Sequence, residues 1–187
     1  TYIFTDEGFT GASGRILEDE RGIDRINGAP LRYDFYVNLS EGIIAANSVT
    51  HKIASWSTIE DVVSGAGDDR LVGNNVANTL IAGQGNDRLY GGIGNDILQG
   101  GAGQDIAEFS GATAEYSISW DADTETITVV DNKTSGGNEG TDLLTGIERL
   151  VFSDGEVSLG KTVGNTPPVA NTSIFDTNVQ LQNGMGL

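Results

Sequence analysis

Asp69, Asn78, Asp87, Asp96 and Asp105 recur every nine residues, and glycine dominates the residues before most of them. Carboxylates and a carboxamide repeated at this interval offer oxygen atoms at a fixed place in successive turns. Glycine reaches backbone angles that residues with a Cβ avoid, so it also lets main-chain carbonyls converge on the same point. The chemistry on offer is the gathering of oxygens around one centre, provided the chain stacks these turns on one another.

The elements that would do so follow from the repeat. Read in nines, the chain gives SGAGDDRLV from Ser64, GNNVANTLI from Gly73, AGQGNDRLY from Ala82, GGIGNDILQ from Gly91 and GGAGQDIAE from Gly100. The eighth place holds Leu71, Leu80, Leu89, Leu98 and Ala107. A period of nine is too short for a helical repeat and fits neither heptads nor collagen triplets. Six glycine- and Asn/Asp-rich residues make a turn, and three residues with an apolar middle member make a minimal strand. Two nonamers then complete one coil of a flattened spiral, with Leu71 over Leu89 on one inner face and Leu80 over Leu98 on the other.

A core one leucine thick buries little apolar area per ordered residue, so backbone entropy nearly cancels it. Carboxylate turns stacked at a strand spacing of about 4.8 Å also repel. A divalent cation between turns removes both difficulties. Calcium suits the donors, since it takes roughly six to eight oxygens at about 2.3 to 2.6 Å, carbonyl and carboxylate alike.

These units resemble the RTX (repeats-in-toxin) nonapeptide, glycine-glycine-x-glycine-x-aspartate-x-aliphatic-x. The resemblance implies an all-β, right-handed parallel β-roll with two nonamers per coil and flanking β-rich caps. It implies one calcium between turns two nonamers apart, held by carbonyls of the second and fourth residues and the Asp of the first turn. The later turn adds carbonyls of its first and third residues and its Asp. Carried onto this chain, one site takes Gly65, Gly67, Asp69, Ala82, Gln84 and Asp87. A second takes Gly83, Gly85, Asp87, Gly100, Ala102 and Asp105. A third would take Asn74, Val76, Asn78, Gly91, Ile93 and Asp96. It departs from the pattern at Asn74, Val76 and Asn78, so it is expected to be weak or empty. Beyond Gly100 the pattern dissolves into AEFSGATAEY, which leaves Asp96 without a full partner turn.

The flanks read as β-structure. YSISWDADTETITVVD from Tyr116 alternates as a hairpin, with Ile118 and Trp120 facing Ile127 and Val129. TDLLTGIERLVFSDGEVSL continues as strands with a turn at Asp154-Gly155. The lead-in, from ILEDERGIDRINGAP to THKIASWSTIEDVV, resembles the segment before the roll in serralysin-type proteases. That resemblance implies further calcium ligands at Asp19, Gly22, Asp24, Thr58 and Glu60. The divisions are therefore a lead-in over 1–63, the roll over 64–110, a β-rich cap over 111–163, and a linker or start of a following module over 164–187. GNTPPVANTS in the last of these resembles connectors to cadherin-like modules.

Composition agrees. The 187 residues carry 27 acidic and 10 basic side chains, a formal charge of −17. That balance opposes a nucleic-acid partner and suits cation binding. There is no cysteine, hence no disulfide framework or thiolate zinc site. No apolar run approaches the roughly 20 residues of a membrane span. The opening TYIFTDEGFT is not a signal peptide, so an export signal is expected elsewhere or the chain is a fragment.

Catalytic constellations are not evident. H-E-x-x-H does not occur, and the lone histidine, His51, has no nearby nucleophile and is expected at a surface or strand edge. Glu18 and Asp19 form an acidic pair of the kind glycoside hydrolysis uses, but solvation or calcium explains them more simply. The expected reading is a noncatalytic calcium-binding module of a secreted bacterial protein. It would pass through type I secretion machinery and fold outside the cell or at its surface. Two alternatives follow from the resemblance. One is the C-terminal portion of a serralysin-type protease or other RTX enzyme. The other is a calcium-stiffened segment of a large adhesin whose parent binds cell-surface or glycan ligands.

Overall fold

The computed structural model describes residues 2–3, 16–17, 24–53, 59–134, 137–159 and 182–183. The described residues form strands, turns and one short 3-10 turn, Thr113–Glu115, with no α-helix among them. Among the described residues no helix is long and apolar enough to cross a membrane. The described strands form two nine-stranded sheets that face each other across the core.

The repeat generates the sheets directly. Arg70–Val72, Arg88–Tyr90 and Ile106–Glu108 pair in parallel in one sheet, while Thr79–Gln84 and Ile97–Ala102 pair in parallel in the other. Leu71 lies beside Leu89 and Leu80 beside Leu98, and all four are fully buried. Successive side chains alternate across a strand, so the residues flanking each leucine face outward. On the outside, Glu108 pairs with both Arg70, at 3.0 Å, and Arg88.

The parallel ladders pass both boundaries drawn from the repeat. One sheet continues downward from Thr79–Gln84 through Asp61–Val63 and Arg25–Asn27, and upward from Ile97–Ala102 to Thr141–Thr145. The other continues downward to Phe35–Asn38 and upward to Arg149–Phe152. Ile26 and Val62 extend the column of Leu80 and Leu98, and Leu144 stands on Leu98. Val37 and Leu150 likewise extend the column of Leu71, Leu89 and Ala107. The spiral thus begins within the lead-in and ends within the segment read as a cap.

Two β-insertions interrupt the coils. Tyr116–Asp121 and Thr126–Asp131 form an antiparallel hairpin that pairs onto Thr141–Thr145. Ile118 opposes Val129 and Trp120 opposes Ile127, with all four buried, as the alternation requires. Phe109, Tyr116 and Phe152 pack together at its root, with ring centroids 5.2 to 5.4 Å apart. At the other end, Phe35–Asn38, Ile43–Ala46 and Val49–Ile53 form an antiparallel meander. His51 sits inside it, opposite Ile44 and buried, so the expectation of a surface or strand-edge histidine is corrected. The alternation of Val49, His51 and Ile53 turns all three toward the same side, and the structure buries that side. The last turn falls at Ser153 and Asp154, one residue earlier than expected, with Phe152 opposite Gly155.

Candidate metal centre

The turns between strands stack into two columns. In one, the Phe35 N–H donates to Asp69 Oδ1 (2.7 Å), the Asp69 N–H to Asp87 Oδ1 (2.7 Å), and the Asp87 N–H to Asp105 Oδ1 (2.9 Å). The Asp105 N–H then donates to Glu148 Oε2 at 2.7 Å. Each carboxylate spends one oxygen on the amide of the coil below. The second oxygen, Oδ2 of Asp69, Asp87 and Asp105, is buried and has no hydrogen-bond partner, and the same holds for Asp96 in the other column.

Burial pushes each of these four carboxyls up to about 6. For Asp87 and Asp105 the neighbouring carboxylates add to the rise, against the amide hydrogen bonds that lower it. A buried, half-satisfied carboxylate is costly. Among the described residues no three acidic, histidine or cysteine side chains cluster in the manner of a metal site. A cation held here must therefore draw on main-chain carbonyls as well as on the stacked carboxylates, as calcium does.

The glycines make those carbonyls available. Gly85 has φ +128°, and a Cβ on it would overlap the Gly67 carbonyl oxygen of the turn below. Gly103 repeats the relation with Gly85, Gly83 with Gly65, and Gly101 with Gly83. Hydrogen bonds fix the same turns. The Gln84 N–H donates to the Gly65 carbonyl (2.9 Å), the Gly67 N–H to that of Gln84 (3.0 Å), and the Gly85 N–H to that of Ala102 (2.9 Å). Ser64 Oγ donates to the Ala82 carbonyl at 2.6 Å. The structure therefore stacks the turn of Gly65, Gly67 and Asp69 under that of Ala82, Gly83, Gln84, Gly85 and Asp87, and the latter under that of Gly100, Ala102 and Asp105. A carbonyl oxygen that accepts one hydrogen bond keeps a second lone pair, so these carbonyls together with the buried, unpartnered carboxylate oxygens fit a hard, oxygen-seeking cation.

The second column holds the degenerate unit. The Asn78 N–H donates to Asp96 Oδ1 at 2.7 Å, so Asn78 and Asp96 stack as their aspartate counterparts do. The Ile93 N–H meets the Asn74 carbonyl at 3.0 Å, and a Cβ on Gly92 or Gly94 would crowd the Asn74 or Val76 carbonyl. A Cβ on Gly73 would overlap the Gly91 carbonyl oxygen. The difference lies below. Asn78 Nδ2 donates to the carbonyls of Ile59 and Glu60, both at 3.1 Å. The carboxamide is thereby fully engaged, its nitrogen with the turn below and its oxygen with the Asn74 N–H at 2.8 Å, whereas each repeat aspartate keeps an unpartnered oxygen.

Glu60 stands one coil beneath Asn78, and its Oε2 accepts the Asp24 N–H at 2.7 Å. Asp24 and Glu60 are thus placed in the same column as the repeat residues. Asp19, Gly22 and Thr58 lie outside the described residues.

Sequence reasoning missed the top of both columns. The Asp96 N–H donates to Asp142 Oδ1 at 2.9 Å, so Asp96 does have a turn above it. Glu148 occupies the corresponding place over Asp105. Burial raises the Asp142 carboxyl to about 8, with the carboxylates of Asp96, Glu139 and Asp131 adding to it. The signal was present as GNEGTDLLT, residues 137–145, with glycine first and fourth, aspartate sixth and leucine eighth. The hairpin puts it out of phase with the other five units.

A search of curated proteins returns no match. Residues 72–107, the centre of this stack, match the family model of the RTX calcium-binding nonapeptide repeat in four copies. The chain therefore carries RTX repeats, repeats that bind calcium, at the heart of its two-sheet spiral.

Proposed function

We propose that this chain is a noncatalytic calcium-responsive module of a secreted protein. Calcium ions sit between stacked turns, one with Gly65, Gly67, Asp69, Ala82, Gln84 and Asp87, another with Gly83, Gly85, Asp87, Gly100, Ala102 and Asp105. A weaker site uses Asn74, Val76, Asn78, Gly91, Ile93 and Asp96. The observation that carries this reading is the set of four buried Oδ2 atoms, on Asp69, Asp87, Asp96 and Asp105, that lack any partner. At neutral pH those carboxylates and the formal charge of −17 oppose a compact chain, and bound calcium offsets them.

A module of this kind stays unfolded where calcium is scarce, passes through type I secretion machinery, and folds outside the cell, stabilising the protein attached to it. RTX repeats are typical of secreted proteins, which supports this route. The parent is a secreted RTX enzyme or a surface adhesin.

Far-ultraviolet circular dichroism tests the reading. In chelator the β signal should fall. It should return cooperatively at roughly 10⁻⁴ to 10⁻³ M calcium, the range of extracellular modules. Magnesium, which prefers a tight octahedron and keeps its waters, should substitute poorly. An unchanged spectrum and melting temperature in excess chelator would refute it.

A further inference from the structure

The turn above Asp96 reaches its place from beyond the hairpin. Leu144 pairs with Leu98, and the Leu143 N–H donates to the Asp96 carbonyl at 2.8 Å, the bond that Ile106 makes to Asp87 at 2.9 Å. The Gly94 N–H donates to the Glu139 carbonyl at 3.2 Å, the counterpart of the bonds from Gly67 to Gln84 and from Gly85 to Ala102. Gly140 has φ +90°, and a Cβ there would overlap the Gly94 carbonyl oxygen. In hydrogen bonds, register and backbone, residues 137–145 stack on residues 91–99 as the contiguous nonamers stack on one another.

Buried acidic residues are found at this level as in the turns below. Asp96, Glu139 and Asp142 are all buried, and Asp96 Oδ2 has no partner. The Glu139 carboxylate is already occupied, accepting from Tyr90 Oη (2.9 Å), Tyr116 Oη (2.5 Å) and the Ser110 N–H (3.1 Å). Its main-chain N–H donates to Asp131 Oδ2 at 2.8 Å. These bonds tie both roots of the hairpin to the same turn. Glu139 therefore adds negative charge beside the column while its carbonyl faces Gly94.

We propose that the Gly94 carbonyl, Asp96, the Glu139 carbonyl and Asp142 hold a further calcium ion, outside the matched repeats, which locks the inserted hairpin onto the roll. The proposal rests on the calcium reading above. It makes residues 137–142 a working repeat separated from the others in sequence, and it gives calcium control over the docking of the hairpin, Tyr116–Asp121 and Thr126–Asp131.

Titration calorimetry with calcium alone, on the full chain and on Asp142→Asn, tests this. The carboxamide oxygen still accepts the Asp96 N–H, so the turn keeps its shape while losing its charge. The variant should bind one calcium fewer per chain, and an unchanged count overturns the proposal. Anomalous diffraction from crystals of the full chain grown in calcium gives a second measurement that no variant's folding can confound. A peak between the Asp96 and Asp142 carboxylates is expected. Peaks beside Asp87 with none at Asp142 would overturn this site and leave the general calcium reading intact, whereas a full chain that binds no calcium would overturn both.

Discussion

Asp87→Asn should change the sign of its effect with calcium. Burial lifts the Asp87 carboxyl from 3.8 to about 6. Keeping it ionised in the folded, calcium-free chain at neutral pH therefore costs about 3 kcal/mol relative to the unfolded chain. The carboxamide removes that cost and still offers an oxygen to the Asp69 N–H, now 2.7 Å from Asp87 Oδ1. Without calcium, the variant should fold more readily by up to about 3 kcal/mol. With calcium at a hundred times its dissociation constant, each site contributes about 2.7 kcal/mol. Asp87 belongs to two proposed sites, so losing both costs about 5 kcal/mol and leaves a net destabilisation of about 2 kcal/mol. In chelator, folding can be driven with trimethylamine oxide and followed by circular dichroism. In calcium, urea unfolding gives the complementary number. Destabilisation under both conditions would show that Asp87 serves only as a hydrogen-bond acceptor and would refute the reasoning.

Other perturbations follow from the same geometry. Asn78→Asp removes the two donors to Ile59 and Glu60, so calcium-free stability should fall by about 2 kcal/mol; calorimetry should show increased calcium binding at that level. Gly85→Ala, at φ +128° and against the Gly67 carbonyl, should cost about 3 kcal/mol or more in calcium, read by urea unfolding. Leu98→Ala empties a fully buried place in a thin core and should cost about 2 to 5 kcal/mol, read the same way. For pH, the repeat carboxyls are raised from 3.8 to about 6 and Asp142 to about 8, so the calcium-free fold binds protons more tightly than the unfolded chain. Its stability should be greatest below the unfolded value and be lost as pH rises through 6 to 8; circular dichroism in calcium-free buffer from pH 4 to 8 checks this.

Much of the centre was legible because the nonamer fixes both a turn and the side of the next strand that faces inward. Leu71, Leu80, Leu89 and Leu98 fall where the period puts them, and Ile118 and Trp120 oppose Val129 and Ile127 as alternation demands. The ends of the roll were not legible from a fixed period. Stacking requires only that a turn arrive at the right height, and the chain makes long detours between arrivals. Asp142 comes after a hairpin, and Glu148 reaches the Asp105 amide from a shorter turn with a longer side chain. At Arg25–Asn27 and Phe35–Asn38 the central residues are Ile26 and Val37 in place of leucine, and no glycine-rich nonamer announces them. His51 departs from expectation because polarity alone assigns it to solvent, whereas its alternation with Val49 and Ile53 decides its side.

The detours also set an order of assembly. Within the central coils, the amide-to-carboxylate bonds of Asp69, Asn78 and Asp87 join residues 18 apart in the chain. The bond from Asp96 to Asp142 spans 46 residues, that from Asp105 to Glu148 spans 43, and at the other end Phe35 to Asp69 spans 34 and Asp24 to Glu60 spans 36. Closing a longer loop costs more entropy, by about 0.6 kcal/mol per doubling, and contacts distant in sequence form more slowly. The short-range coils accordingly nucleate first, and the outer coils close onto them from both sides. In a calcium-jump experiment the leucine-lined middle should acquire structure before Trp120 is buried, so the roll grows from its middle outward rather than from either end of the chain.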